Sequence, residues 1–226
     1  MSGPYVISRS RRTARTKIVW GVLGVGMMLG VAALSVLDPS ASGSRGGGVT
    51  LSPLMSTGGL SGVEAVFQTQ SELDTEHWNS IVIVHSGSSK GTPASIESTH
   101  RAAGYDGLGF HFLIGNGTGM GDGNIHVGQR WLDQRDGADL AGTAAEVPSS
   151  GMIEICLVGD GNRKSFSDEQ LHRLAQLVAA LSEKFSISSE RILLHKDIAG
   201  TTSPGQYFPR TAFEQRLVSL GVGARP

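Results

Sequence analysis

The sequence predicts an α/β domain built on a mixed central β-sheet flanked by helices. Three observations lead there. Two short apolar runs, Ile81-Val82-Ile83-Val84 and Leu193-Leu194, each end in a histidine, His85 and His195. That is the pattern of buried strands whose last side chain emerges at the rim of a sheet. Strand-like and helix-like segments then alternate along residues 63–226, as they do when helices pack on a sheet. The longest helical period, carried by Leu171, Leu174, Leu177, Val178, Leu181 and Phe185, immediately precedes the last strand.

The chain opens with a different composition. Arg9, Arg11, Arg12, Arg15 and Lys17 crowd residues 1–17, and the run from Ile18 to Leu37 carries no charge. Such a run suits a helix crossing a hydrocarbon core of about 30 Å and exceeds the roughly 7–15 residues of a signal-peptide apolar region. The basic flank orients it with the N-terminus in the cytoplasm. Asp38 and Pro39 interrupt the approach to any small-x-small cleavage site. Residues 1–17 are therefore read as a cytoplasmic tail and 18–37 as an uncleaved transmembrane signal anchor, with a cleaved signal peptide as the alternative. Either way the membrane is a partner, and the rest of the chain is exported to the periplasm or cell exterior. Residues 38–62, rich in Ser, Gly and Pro, are read as a flexible linker.

Within 63–226 the first strand is Ile81 to Val84. Thr92 caps a helix with Pro93 in its first turn, running to about Ala103 and stopped by Gly104. Phe110 to Ile114 and Ile125 to Val127 read as strands joined by the glycine-rich residues 115–124. No full G-x-G-x-x-G lies there and no helix follows, so the segment is a long hairpin connection whose glycines supply positive φ rather than a phosphate cradle. Residues 131–148 show no period and read as loop. Met152 to Val158 is a continuous apolar strand apart from Glu154. Ser167 with Gln170 forms a capping box for the long amphipathic helix, and Thr211 with Glu214 suggests another for a short closing helix ended by Gly221.

Net charge is -1 and the pI near 6.7, without the basic surplus of a nucleic-acid partner. The single cysteine, Cys156, allows no intramolecular disulfide and reads as a small buried hydrophobe. His77, His100, His126 and His172 lie in polar or helical settings and are expected at the surface. His111, in an apolar strand, is expected to be hydrogen-bonded in the core or near the site.

Taken together, the strand ending in His85, the block 104–114 (Gly-Tyr-Asp-Gly-Leu-Gly-Phe-His-Phe-Leu-Ile), the strand 154–159 and His195 followed by Thr201-Thr202-Ser203-Pro204-Gly205 resemble the zinc-dependent N-acetylmuramoyl-L-alanine amidase family, which includes the peptidoglycan recognition proteins. The likeness spans roughly residues 80–208. It implies a peptidoglycan or muropeptide partner and a Zn2+ ion held by His85, His195 and a third ligand in the final turn. The water in the fourth position would attack the amide between N-acetylmuramic acid and L-alanine.

Two residues depart from the family pattern. Ser203 occupies the third-ligand position, where the family carries cysteine or aspartate, and a neutral hydroxyl is a poor zinc ligand. Phe110 stands where many catalytic members have tyrosine. Thr201 matches a threonine able to donate to a developing oxyanion. Asp139 replaces a histidine and is a candidate substitute ligand or substrate contact, as His111 is a candidate substrate contact. Asp197 is expected to orient the turn. The resemblance thus implies a zinc amidase if the metal binds. With a weak or absent metal it implies a recognition module with a degenerate site. A structural envelope domain with neither property would fail to bind sacculi.

Overall fold

The computed structural model describes residues 48–51, 62–138 and 150–223. Among the described residues six strands form one sheet: β1 (Gly48–Leu51), β2 (Ser80–His85), β3 (Phe112–Ile114), β4 (Ile125–Gly128), β5 (Met152–Leu157) and β6 (Ile192–Leu194), in the order β1-β4-β3-β5-β2-β6. β3, β5, β2 and β6 run parallel, and β4 is antiparallel to both of its neighbours. The expected mixed sheet is present. The parallel register Ile81↔Ile153 and Ile81↔Ile192 brings the C-terminal ends of β2, β5 and β6 to one rim.

The helices are α1 (Pro93–Ala102), the one-turn α2 (Gln129–Leu132), α3 (Asp168–Phe185), the one-turn α4 (His195–Ile198) and α5 (Arg210–Ser219). Strand side chains alternate faces. Ile81, Ile83, Phe112, Ile114, Ile153, Ile155 and Leu157 meet Leu174, Leu177, Val178 and Leu181 of α3, with Trp78 and Trp131 filling the same core. The opposite face is thinner. Val82, Val84, Leu113, Met152 and Cys156 pack with Ile96 of α1, Phe110 and Ile198. With both faces covered, the central strands read as continuous apolar runs. Cys156 is fully buried, and burial pushes its thiol pKa up.

Both caps anticipated for the first two long helices form. Thr92 Oγ1 accepts from the Ser95 amide, and Ser167 Oγ accepts from the Gln170 amide at 3.0 Å. Gln170 adds a role beyond capping, its Nε2 donating to the Ile114 and Val158 carbonyls beside the ends of β3 and β5. The 115–124 hairpin carries positive φ at Gly117, Gly119 and Gly123, as expected.

Four expectations need correction. Helix α5 starts at Arg210 after Pro209, with no side-chain cap, so Thr211 lies inside the first turn and no Thr211–Glu214 capping box forms. A proline φ already suits the entry, and Arg210 is tied to Asp197. Residues 48–51, inside the expected linker, pair with β4, because a β-branched stretch can satisfy that strand's open edge. The stretch from Trp131 onward begins in helix α2, which is too short to leave a period. His126 is 8% exposed rather than superficial, since it stands on β4. The tail and anchor expected over 1–37 lie outside the described residues. Among the described residues no helix is long and apolar enough to cross a membrane.

Candidate functional site

The site lies at the rim where β2 and β6 end. His85 is the last residue of β2, and His195 opens α4 directly after β6. Asp197 fixes that turn, as expected, by accepting the Leu194 amide at 3.1 Å while it pairs with Arg210. The next loop brings Ser203 back between the histidines. Its Oγ accepts the His85 backbone N–H at 3.0 Å, its carbonyl accepts from Lys196 at 2.7 Å, and its own N–H donates to Thr201 Oγ1 at 3.2 Å.

A second loop, following β5, supports the first. The Gly161 N–H donates to His85 Nδ1 at 3.0 Å, and Asp160 Oδ1 lies 3.9 Å from the same nitrogen. Asn162 Nδ2 donates to Thr202 Oγ1, Gln206 Nε2 to the Asn162 carbonyl, and the Tyr207 amide to the Gly161 carbonyl. The two backbones touch. Gly205 has φ +108°, and a Cβ there would come within 2.0 Å of the Gly161 carbonyl carbon. Only glycine satisfies both demands.

His85, His195, Ser203, Thr201 and Phe110 line one cleft of about 370 Å³. Five of the sequence candidates therefore meet. A groove of about 590 Å³ continues past His85, Ser86, His100 and Phe110 toward Lys90. Another cavity, about 560 Å³, opens where α3 ends and holds only Glu183 and Glu190 as ionisable groups, so size alone does not mark the site.

His111 is not in the cleft. It is fully buried, Nδ1 accepting the Glu154 amide at 2.9 Å and Nε2 reaching the Arg135 carbonyl at 2.9 Å. Burial lowers its pKa to about 4. It holds β5 against the segment leading into β3, so it is a core histidine and not a substrate contact. Asp139 lies outside the described residues.

The cleft adds three residues that sequence reasoning passed over. His100, expected at the surface, lines it with Nδ1 accepting the Gly109 amide at 2.8 Å and its ring edge-on to Tyr105 and Phe110. Tyr105 and Glu154 are the others. Glu154 had a signal, being the one charged residue in an otherwise apolar strand.

The pKa of His85 is lowered by burial, with the Asp160 charge and a hydrogen bond to the Pro204 carbonyl opposing. That of His100 is lowered by burial and by Arg130, against Glu97. Accepting a backbone N–H at Nδ1 fixes both rings as neutral tautomers with the proton on Nε2.

These donors do not fit a three-ligand catalytic zinc site. The third position offers a neutral hydroxyl whose oxygen already accepts the His85 amide, and the His85 Nδ1 lone pair is taken by Gly161. Among the described residues no three His, Cys, Asp or Glu side chains converge as a metal would require.

The N-acetylmuramoyl-L-alanine amidase family (Amidase_2) matches residues 74–206. Among solved structures, N-acetylmuramoyl-L-alanine amidase LysC from Clostridium intestinale URNW is 28% identical with a TM-score of 0.52, covering 68% of this chain and 93% of that one. The endolysin N-acetylmuramoyl-L-alanine amidase LysCS from the same organism gives the same identity and TM-score, covering 68% of this chain and 91% of its own. The ectodomain complex of peptidoglycan recognition proteins LCa and LCx bound to tracheal cytotoxin is 22% identical with a TM-score of 0.47, over 63% of this chain and 86% of that one. No curated protein matches.

Proposed function

The chain belongs to the N-acetylmuramoyl-L-alanine amidase family, and on that premise we propose that its domain binds peptidoglycan, taking a muropeptide into the His85–His195 cleft without hydrolysing it. Ser203 carries this reading. Its hydroxyl brings no charge to the position where the zinc chemistry of the family calls for an anionic ligand, and it is already engaged by the His85 amide. What remains is a cleft with the His85 and His195 rings, aromatic walls at Tyr105 and Phe110, hydroxyls at Thr201 and Ser203, and the Glu154 carboxyl group. Few, well-placed polar groups among apolar walls suit recognition of an uncharged glycopeptide linkage.

The test is the zinc content of the purified full chain by mass spectrometry, wild type against Ser203→Cys, beside a pull-down on purified sacculi. The expected outcome is far less than one zinc per wild-type chain, close to one for Ser203→Cys, and sacculus binding by both. Loss of sacculus binding by the wild type would remove the recognition reading.

Hydrolysis is the second reading, favoured by the 28% identity to LysC over 93% of that amidase. A wild-type chain carrying close to one zinc and releasing stem peptides from sacculi would establish it instead.

The proposal includes a location. The basic residues 1–17 and the uncharged run 18–37 would anchor the chain in a membrane, with the domain on its outer side. Recovery of the full chain in the membrane fraction, with the domain open to added protease in intact spheroplasts, is the expected result.

A further inference from the structure

The cavity of about 560 Å³ where α3 ends lies at the far end of the sheet from the His85–His195 cleft, because residues 186–190 precede the start of β6 whereas His195 follows its end. Two helix C-termini wall it. One is the last turn of α3, closed by Ser186 at φ 55°. The other is the end of α5, where the Val222 amide turns back to the Leu217 carbonyl and Gly221 has φ +87°. The C-terminal end of a helix dipole carries roughly half a negative elementary charge. Glu183 and Glu190 add two carboxylates, and among the described residues no lysine, arginine or histidine lines the cavity. Neither carboxylate forms an ion pair among the described residues. Lys184, adjacent in sequence, lies instead over the Phe67 ring, its Nζ 6.0 Å from the centroid.

Ser182 is a second and independent sign. It lines the cavity from α3 and is 6% exposed, yet its buried Oγ has no hydrogen-bond partner. A helical serine without solvent can turn its hydroxyl back to the carbonyl four residues earlier. This one does not, and a buried polar group left unpaired is costly. A donor entering the cavity would complete it.

The cavity continues into an apolar surface. Ser189, Glu190 and Val222 are shared with a groove of about 340 Å³ between β6 and α5, lined by Ile192, Phe213 and Leu217. Arg210 borders that groove but is held by Asp197. Val218 in the groove and Leu220 in the cavity are 64% and 46% exposed, so apolar area stands open beside the acidic end.

We propose that this surface docks a peptide segment presenting an arginine or lysine between apolar residues. The cation enters the cavity, where Glu183, Glu190 and the two helix ends hold its charge and Ser182 Oγ accepts its hydrogen bond. The apolar neighbours lie along Ile192, Phe213 and Leu217. The site is separate from the muropeptide cleft and stands or falls without it.

Four synthetic probes test this by calorimetric titration into the full chain: acetyl-Leu-Arg-Leu-amide, its lysine and citrulline counterparts, and acetyl-Gly-Arg-Gly-amide. Citrulline keeps the shape of arginine without its charge. The expected result is that the arginine or lysine peptide binds about tenfold or more tightly than the citrulline peptide, and less tightly as salt is added. Glu183→Gln combined with Glu190→Gln should bring all the leucine peptides to the citrulline level, and Ser182→Ala should weaken the charged ones about fivefold. All variants should melt within a few degrees of wild type. Equal affinity for charged and citrulline peptides, a preference that survives the double substitution, or unchanged binding by Ser182→Ala overturns the inference. So does a glycine peptide that binds as tightly as its leucine counterpart, since the apolar groove would then take no part. Arg225 follows two residues after Gly223, which lines the cavity. Binding that appears only in Arg225→Ala would identify the chain's own arginine as the occupant and overturn the partner reading, as would no binding of any probe to either chain.

Discussion

At the scale of single residues, histidines carry most of the information, and their environments separate their roles. His111 has a pKa of about 4, lowered chiefly by burial, against an ordinary value near 6.5. The folded protein therefore holds this ring neutral while the unfolded chain protonates it below about pH 6.5. Its contribution to stability is fully present above that pH and is lost as pH falls from about 6.5 toward 4. By linkage that amounts to about 2 kcal/mol between pH 7 and pH 5. Urea unfolding at the two pH values should show wild type losing about that much more stability than His111→Gln. His126, also shifted to about 4 by burial, adds a similar slope in both proteins and does not obscure the difference. From sequence, His85 and His195 could be paired because each ends an apolar run. His100 could not, because its approach to the cleft depends on how α1 packs, and helical spacing alone says nothing about which face meets Phe110.

At the scale of elements, the two capping boxes read from sequence give a direct comparison. Ser167 caps α3, with its hydroxyl accepting the Gln170 amide, whereas Thr211 sits within the first turn of α5 and caps nothing. Ser167→Ala should cost about 1 kcal/mol, a fall of roughly 2–4 °C in melting temperature. Thr211→Ala should be silent within about 0.5 kcal/mol. The same four-residue signature thus had opposite outcomes. The deciding factor was Pro209 and the Asp197–Arg210 pair, which start the helix two residues early and cannot be seen in the local pattern. Loops behave similarly. The sequence placed Ser203 in a turn, but did not show that this turn would touch the loop at 159–162. Gly205→Ala, which forces a Cβ into the Gly161 backbone at a φ of +108°, should cost about 3 kcal/mol or more in thermal unfolding and should weaken muropeptide binding by displacing Ser203.

At the scale of the whole molecule, the sheet has one thickly covered face, under α3, and one thin face that bears the cleft. Strand order followed from residues far apart in sequence, and only its outline, an α/β sheet with a shared rim, was legible beforehand. The outer strand β1 was missed because four residues in a Gly/Ser-rich stretch carry too little pattern. Its pairing with β4 makes residues 48–51 part of the body that extends from Gly46 to Pro226. A chain beginning at Gly62 should therefore melt several degrees below one beginning at Gly46 and aggregate sooner, because removal of β1 uncovers the edge of β4. Calorimetry and light scattering on the two truncations measure this directly.

The contact between the 159–162 and 202–207 loops also bears on how such a domain changes over generations. Ser203 is positioned by backbone and side-chain hydrogen bonds from both loops and by the meeting of Gly161 and Gly205, none of which needs an ion to form. The shape around position 203 is thus inherited separately from what stands there. For most serine codons a single base change yields cysteine, so this architecture is one mutation from presenting a thiol at position 203, without passing through an unfolded ancestor.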